Sequence, residues 1–180
     1  EEEVRKLIDS VDHQKHKMMI SMFYGTGLRM NELRLLEPHH IDSKVYQIKV
    51  VNGKGGRERY TILPKSLLEP LREYYKRYRP KNYLFEGQKT GYPMHERSIQ
   101  HFIHEAIKRL GWDGRDISAH TLRHSFATHM LDHGTDIHTI KTLLGHSKLE
   151  TTMVYLHLSK TKRLLLVSPF DRISTDEQHS

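Results

Sequence analysis

Apolar residues recur at helical spacing along most of this chain, and they alternate at strand spacing around one glycine-rich turn. That pattern predicts an α+β fold that is mainly helical, with one small antiparallel sheet. Val4, Leu7, Ile8 and Val11 share a face of a first helix, and Met18 to Phe23 predicts a second, more buried one. The break "GTG" (Gly25 to Gly27) ends it, and Leu28 to Leu36 predicts a short third helix stopped by Pro38. Tyr46, Ile48 and Val50 alternate as in a half-buried strand, "NGKGG" (Asn52 to Gly56) turns the chain, and Tyr60 and Ile62 return it to Pro64. The result is a β-hairpin with a basic tip. Leu67 to Tyr78 reads as a helix whose Pro70 falls in the tolerant first turn. Residues 80–93 read as loop with a short strand at Tyr83 to Phe85, and Ser98 to Leu110 as a helix closed by Gly111. Further helices are expected at His120 to Leu131, Ile137 to Leu144 and about Lys148 to His157.

The 180 residues suit one domain with a real core. The net charge of +7 and pI near 9.5 fit a nucleic-acid-binding surface, although a generally basic protein gives the same sum. The absence of cysteine excludes disulfides and thiolate chemistry. No apolar run approaches the roughly 20 residues that span a bilayer, and no secretory signal precedes the first helix. The expectation is a cytoplasmic protein with no membrane partner. The chain opens "EEEVRKLI" without an initiator methionine, which reads as a fragment of something longer.

The chemistry-bearing residues gather in four short stretches. In "SAHTLRHSFATHM", Leu122, Phe126 and Met130 form an apolar stripe, while His120 and Arg123 share another face near a start capped by Ser118. A cation is unfavourable at the positive end of a helix dipole, so Arg123 makes sense there if it grips an anion. The alternative is an arginine lying over the helix surface. "TGLRMNEL" puts Arg29 after a glycine break at another helix start, with Glu32 three residues on to hold its side chain. Arg29 and Arg123 together would clamp one phosphate; alone, Arg29–Glu32 is an ordinary solvated pair worth about 0.3 kcal/mol. "GKGGRER" puts Lys54 on the hairpin tip, where it can reach DNA and deliver a proton, or simply keep the turn soluble; Arg57 and Arg59 flank it as DNA contacts. In "LLGHSKLETTMVYLHL", Gly145 ends a helix, His146 follows, and Ser147 with Glu150 fits a capping box opening the helix that carries Tyr155. Tyr155 is otherwise a core or interface tyrosine. His120/His124 and His129/His133 have the spacing of helical zinc ligands, but no HExxH motif or cysteine supports them, and no metal or other cofactor is expected.

Taken together, T-G-L-R-x-x-E-L at Arg29, G-K-G-x-R-x-R at Lys54, H-x-L-R-H-x-x-A-T at His120 and Arg123, L-L-G-H-S at His146 and T-T-x-x-Y-x-H at Tyr155 resemble the signature of tyrosine recombinases, the phage-integrase family, and most of all its Xer-type members. The resemblance implies a catalytic domain over residues 1–158 and a tail, 159–180, that docks on a partner subunit; the family's N-terminal core-binding domain is absent from the sequence. It implies a homo-tetramer on paired sites in double-stranded DNA, or a monomer as an isolated domain. Tyr155 would attack a scissile phosphate to give a 3′-phosphotyrosyl link, with Arg29, Arg123 and His146 on the non-bridging oxygens. His120 would assist deprotonation of the tyrosine, Lys54 would protonate the 5′-oxygen, and Glu32 would support the clamp. A type IB topoisomerase shares this chemistry, but the histidine of H-x-L-R points away from it. A non-catalytic DNA-binding module is the third reading.

Overall fold

The computed structural model describes residues 1–51 and 58–146. The expected hairpin tip with Lys54 and Arg57, the helix with Tyr155, and the tail lie outside the described residues. Among the described residues the order is α1 (Glu2–Asp9), α2 (Gln14–Thr26), α3 (Met30–Arg34), a 3-10 turn (Pro38–His40), β1 (Ile41–Asp42), β2 (Gln47–Val50), β3 (Arg59–Ile62), α4 (Lys65–Tyr78), α5 (Glu96–Arg109), α6 (Ala119–Asp132) and α7 (Ile137–Leu144). The fold is mainly helical with one three-stranded antiparallel sheet in the order β1-β2-β3. None of these helices is long and apolar enough to cross a membrane.

Helix α2 is the axis of the core. Met18, Met19, Ile20, Met22 and Phe23 are all buried, so it is apolar around most of its circumference. It packs against α1, α4, α5 and α6. It ends at Gly27, whose φ of +64° is left-handed, and a Cβ there would lie 2.5 Å from the Phe126 ring. This close approach sets the start of α3 against α6. A second apolar group, Phe126, Ala127, Leu131, Ile140 and Leu144, joins α6 to α7.

Several elements depart from the sequence reading. Strand β1 pairs Ile41 with Ile48, and its two residues are too few to show alternation. No strand forms at Tyr83 to Phe85. Leu84 and Phe85 are both buried, and the Glu86 carboxylate accepts from the backbone N–H of Lys81 and Asn82, each at 2.8 Å, folding the segment on itself. Pro70 is inside α4 rather than in its first turn, because the helix begins at Lys65; proline lacks the N–H that would reach the Ser66 carbonyl. On α6, Leu131 takes the buried place expected of Met130, which is only partly buried.

Strand β3 uses both of its faces, with Ile62 packed against the apolar group that joins α6 to α7. Thr61 is buried and Tyr60 is half exposed. Side chains alternate across a strand, so Arg59 points inward with Thr61. The inward polar groups find partners: Thr61 Oγ1 donates to the Thr26 carbonyl at 2.7 Å, and Arg59 bonds α7 through Nε and α3 through Nη2.

Candidate active site

Arg29 is the N-cap residue of α3, extended at φ −73° and ψ 161°. Its backbone N–H donates to Glu32 Oε2 at 2.7 Å and its guanidinium to Glu32 Oε1 at 3.0 Å. Glu32 is not the solvated partner that i, i+3 spacing alone predicts. Its side chain is 6% exposed, and Oε2 also accepts from Arg59 Nη2 at 2.9 Å and lies 3.8 Å from Arg123 Nη1. Burial pushes the Glu32 carboxyl up, but Arg59 and Arg29 outweigh it and hold it below the usual carboxylate range. One buried anion therefore orients three guanidiniums.

Arg123 is in the buried face of α6, 2% exposed, rather than on a separate face beside His120. Burial is tolerable because the guanidinium has acceptors: Nη1 donates to the Gly27 carbonyl and Nη2 to the Leu144 carbonyl at 2.6 Å. Those carbonyls lie at the ends of α2 and α7, where helix acceptors lack intrahelical partners. His146 follows the α7 cap. Gly145 has φ +67°, and the N–H groups of Gly145 and His146 both donate to the Lys141 carbonyl. His146 Nε2 lies 3.1 Å from Arg123 Nη2. A guanidinium only donates, so Nε2 accepts and the imidazole proton sits on Nδ1. Burial, then the charges of Arg123, Arg29 and Arg59, lower His146 to about 4, in keeping with a neutral ring.

Ser118 caps α6 by accepting from the Thr121 N–H, as the sequence predicts. His120, in the first turn, contacts the ring of His124 through their Nε2 atoms. Burial, His120 and Arg123 lower His124. Arg29, Glu32, His120 and Arg123 line one cleft of about 430 Å³. Asn31, Glu96 and Gln100 line it too; nothing in the sequence singles these out beyond their helical positions. The structure thus brings together Arg29, Glu32, His120, Arg123 and His146, while Lys54, Arg57 and Tyr155 lie outside the described residues. Arg59, expected to contact DNA, is turned into the protein with its side chain 9% exposed. Its inward strand position and the Glu32 carboxylate account for the difference. Among the described residues, no group of three or more histidines and carboxylates is arranged to hold a metal ion.

The chain belongs to the phage integrase family, whose model matches residues 1–162. It is 35% identical over 169 residues to the tyrosine recombinase XerC of Staphylococcus epidermidis, an alignment covering 88% of this chain and 56% of that protein. The chain spans about half the length of the curated relatives it matches. Its fold is that of the XerA recombinase crystal structure, with a TM-score of 0.79 and 27% identity over 99% of this chain and 63% of that one. XerH site-specific recombinase bound to palindromic difH substrate, in a post-cleavage complex, gives a TM-score of 0.76 at 26% identity, over 91% of this chain and 50% of that one.

Proposed function

We propose that this chain is the catalytic domain of a site-specific DNA recombinase that cleaves and rejoins DNA through a 3′-phosphotyrosyl intermediate. The observation that carries the reading is the convergence of Arg29, Arg123 and His146 on Glu32 and the ends of α2 and α7, with His120 lining the same cleft. Such an array, fixed before substrate arrives, suits an anion whose charge grows in the transition state. The Tyr155 oxygen forms a bond to phosphorus as the bond to the 5′-oxygen breaks. The tyrosine proton passes to His120, and Lys54 protonates the departing 5′-oxygen. A 5′-hydroxyl from a partner strand then attacks the phosphotyrosine and releases Tyr155, so the phosphodiester count is conserved. Every role falls to a side chain. Arg57, on the same basic tip as Lys54, contacts the DNA backbone, and the net charge of +7 supports a duplex DNA partner.

The test uses a nicked duplex carrying a sequence that the protein selects from a randomised pool, with excess EDTA present. A covalent protein–DNA adduct is expected, and added partner half-site should convert it to a joined strand. An adduct that rejoins only its own strand points to topoisomerase chemistry; binding without an adduct points to a non-catalytic module.

The active assembly is a homo-tetramer on paired sites, with residues 159–180 as the docking segment. The run "RLLLV" (Arg163 to Val167) supports this, because three adjacent leucines cannot all face one wall from a single helix. Deleting the residues after Leu158 should leave a folded domain that no longer assembles cooperatively on paired sites. Unfolding on deletion would make the leucines part of this domain's own core.

A further inference from the structure

We propose that Arg59 is a positioning residue that locks the turn carrying His146 to the strand returning from the Lys54 hairpin. The proposal rests on the catalytic roles read above for Lys54 and His146. Helix α7 ends with carbonyls that have no intrahelical donor. Leu144 gives its carbonyl to Arg123 of α6, at 2.6 Å, and Leu143 gives its carbonyl to Arg59 Nε of β3, at 3.0 Å. The Gly145–His146 turn is therefore held by two guanidiniums from two different elements. Arg59 also packs directly on the turn: a Cβ on Gly145 would fall 2.5 Å from Arg59 Cδ and 2.6 Å from its Nε. From the same side chain, Nη2 reaches Glu32 Oε2 at 2.9 Å, which connects the turn to the carboxylate that orients Arg29. Arg59 is the first residue of β3 and pairs with Val50, so it also anchors the end of the β2–β3 pair from which the connection containing Lys54 leaves.

The energetics favour a geometric role over a stabilising one. The Arg59 side chain is 9% exposed, and its Nη1 is buried without a hydrogen-bond partner among the described residues. A buried, incompletely satisfied guanidinium is costly to desolvate, and an apolar side chain of similar size often stabilises as well. What an apolar chain lacks is the rigid fork that spans a carbonyl and a carboxylate at once.

The experiment compares Arg59→Met and Arg59→Lys with the unaltered full chain. Single-turnover cleavage is measured on the selected nicked duplex, alongside DNA affinity across a salt series. For Arg59→Met, cleavage should slow on the order of 100-fold, the scale of a small misplacement of catalytic groups. Thermal stability, DNA affinity and its salt slope should be unchanged. Cleavage at the original rate would overturn the proposal. So would a loss that tracks weaker binding with a salt slope shallower by about 1, the mark of a direct phosphate contact. A second readout needs no DNA. Arg59→Lys keeps the charge and loses the fork, so the NMR titration of His146 should move from about 4 toward the ordinary histidine range as the turn loosens. An unmoved titration would overturn the lock. Lys54→Ala and His146→Ala serve as controls in the cleavage assay: if both cleave normally, the catalytic reading fails, while the titration still decides whether Arg59 holds the turn.

Discussion

Arg29 and Arg123 both reach Glu32, yet they differ in what else they hold. Among the described residues, Arg29 is nearly half exposed and its guanidinium bonds Glu32, whereas Arg123 is buried and satisfies the Gly27 and Leu144 carbonyls. Removing either should cost on the order of 3 kcal/mol in cleavage, the usual effect of losing a preorganised donor. Only Arg123→Ala should also cost about 1–3 kcal/mol of folding stability, by stranding two buried acceptors. Urea unfolding beside single-turnover cleavage separates the two; equal stability losses would contradict the division. His146 makes a different prediction. Burial and then Arg123 lower it to about 4, and burial and then His13 lower His16 to about 4, against 6.5 for an unperturbed ring. Between those values the unfolded chain binds protons that the folded one does not, so stability is full above pH 6.5 and falls as pH drops toward 4. Urea midpoints across that window should show the slope, and His16→Phe, which keeps the stack on Phe102, should flatten it. A midpoint independent of pH would contradict the half-buried neutral rings.

Elements were legible in the sequence wherever apolar residues kept one period long enough to reveal it. Helices α4 to α7 form where helical spacing predicts them, and Ser118, Gly27 and Gly145 mark ends that the structure also uses. What periodicity could not reveal was polar burial. It placed Arg123 beside the stripe instead of in it, and it missed the inward turn of Arg59 and Thr61 on β3. Both errors have the same cause: a residue's hydropathy does not say whether distant carbonyls or carboxylates await it. The helix junctions carry the site, and Gly27 and Gly145 are both tight ones. Gly27 and Gly111 share φ +64°, but nothing lies within 4 Å of a Cβ on Gly111, while one on Gly27 strikes Phe126. Gly111→Ala should therefore cost about 1 kcal/mol for its backbone alone. Gly27→Ala should cost at least 1–3 kcal/mol more, the range of overpacking in a dense core. Similar unfolding midpoints for the two variants would mean that the α2–α6 approach is looser than described.

Across the described fold, one apolar helix, α2, supports the site from beneath. Its end fixes Arg29 through Gly27, its flank packs α6 with His120 and Arg123, and Thr26 ties in the strand bearing Arg59. Five of the residues singled out in the sequence thus meet, although they come from positions 29 to 146. Their order along the chain showed which residues to examine, and only the fold brings them together. If this array receives a tyrosine attack on a DNA phosphate, a covalent intermediate must form on the tyrosine. The most direct measurement is covalent trapping on the selected nicked duplex, with peptide mapping of the adduct. A single DNA-linked peptide containing Tyr155 is expected, and no adduct from Tyr155→Phe despite unchanged DNA affinity. An adduct that persists in that variant, or maps to another residue, would contradict it.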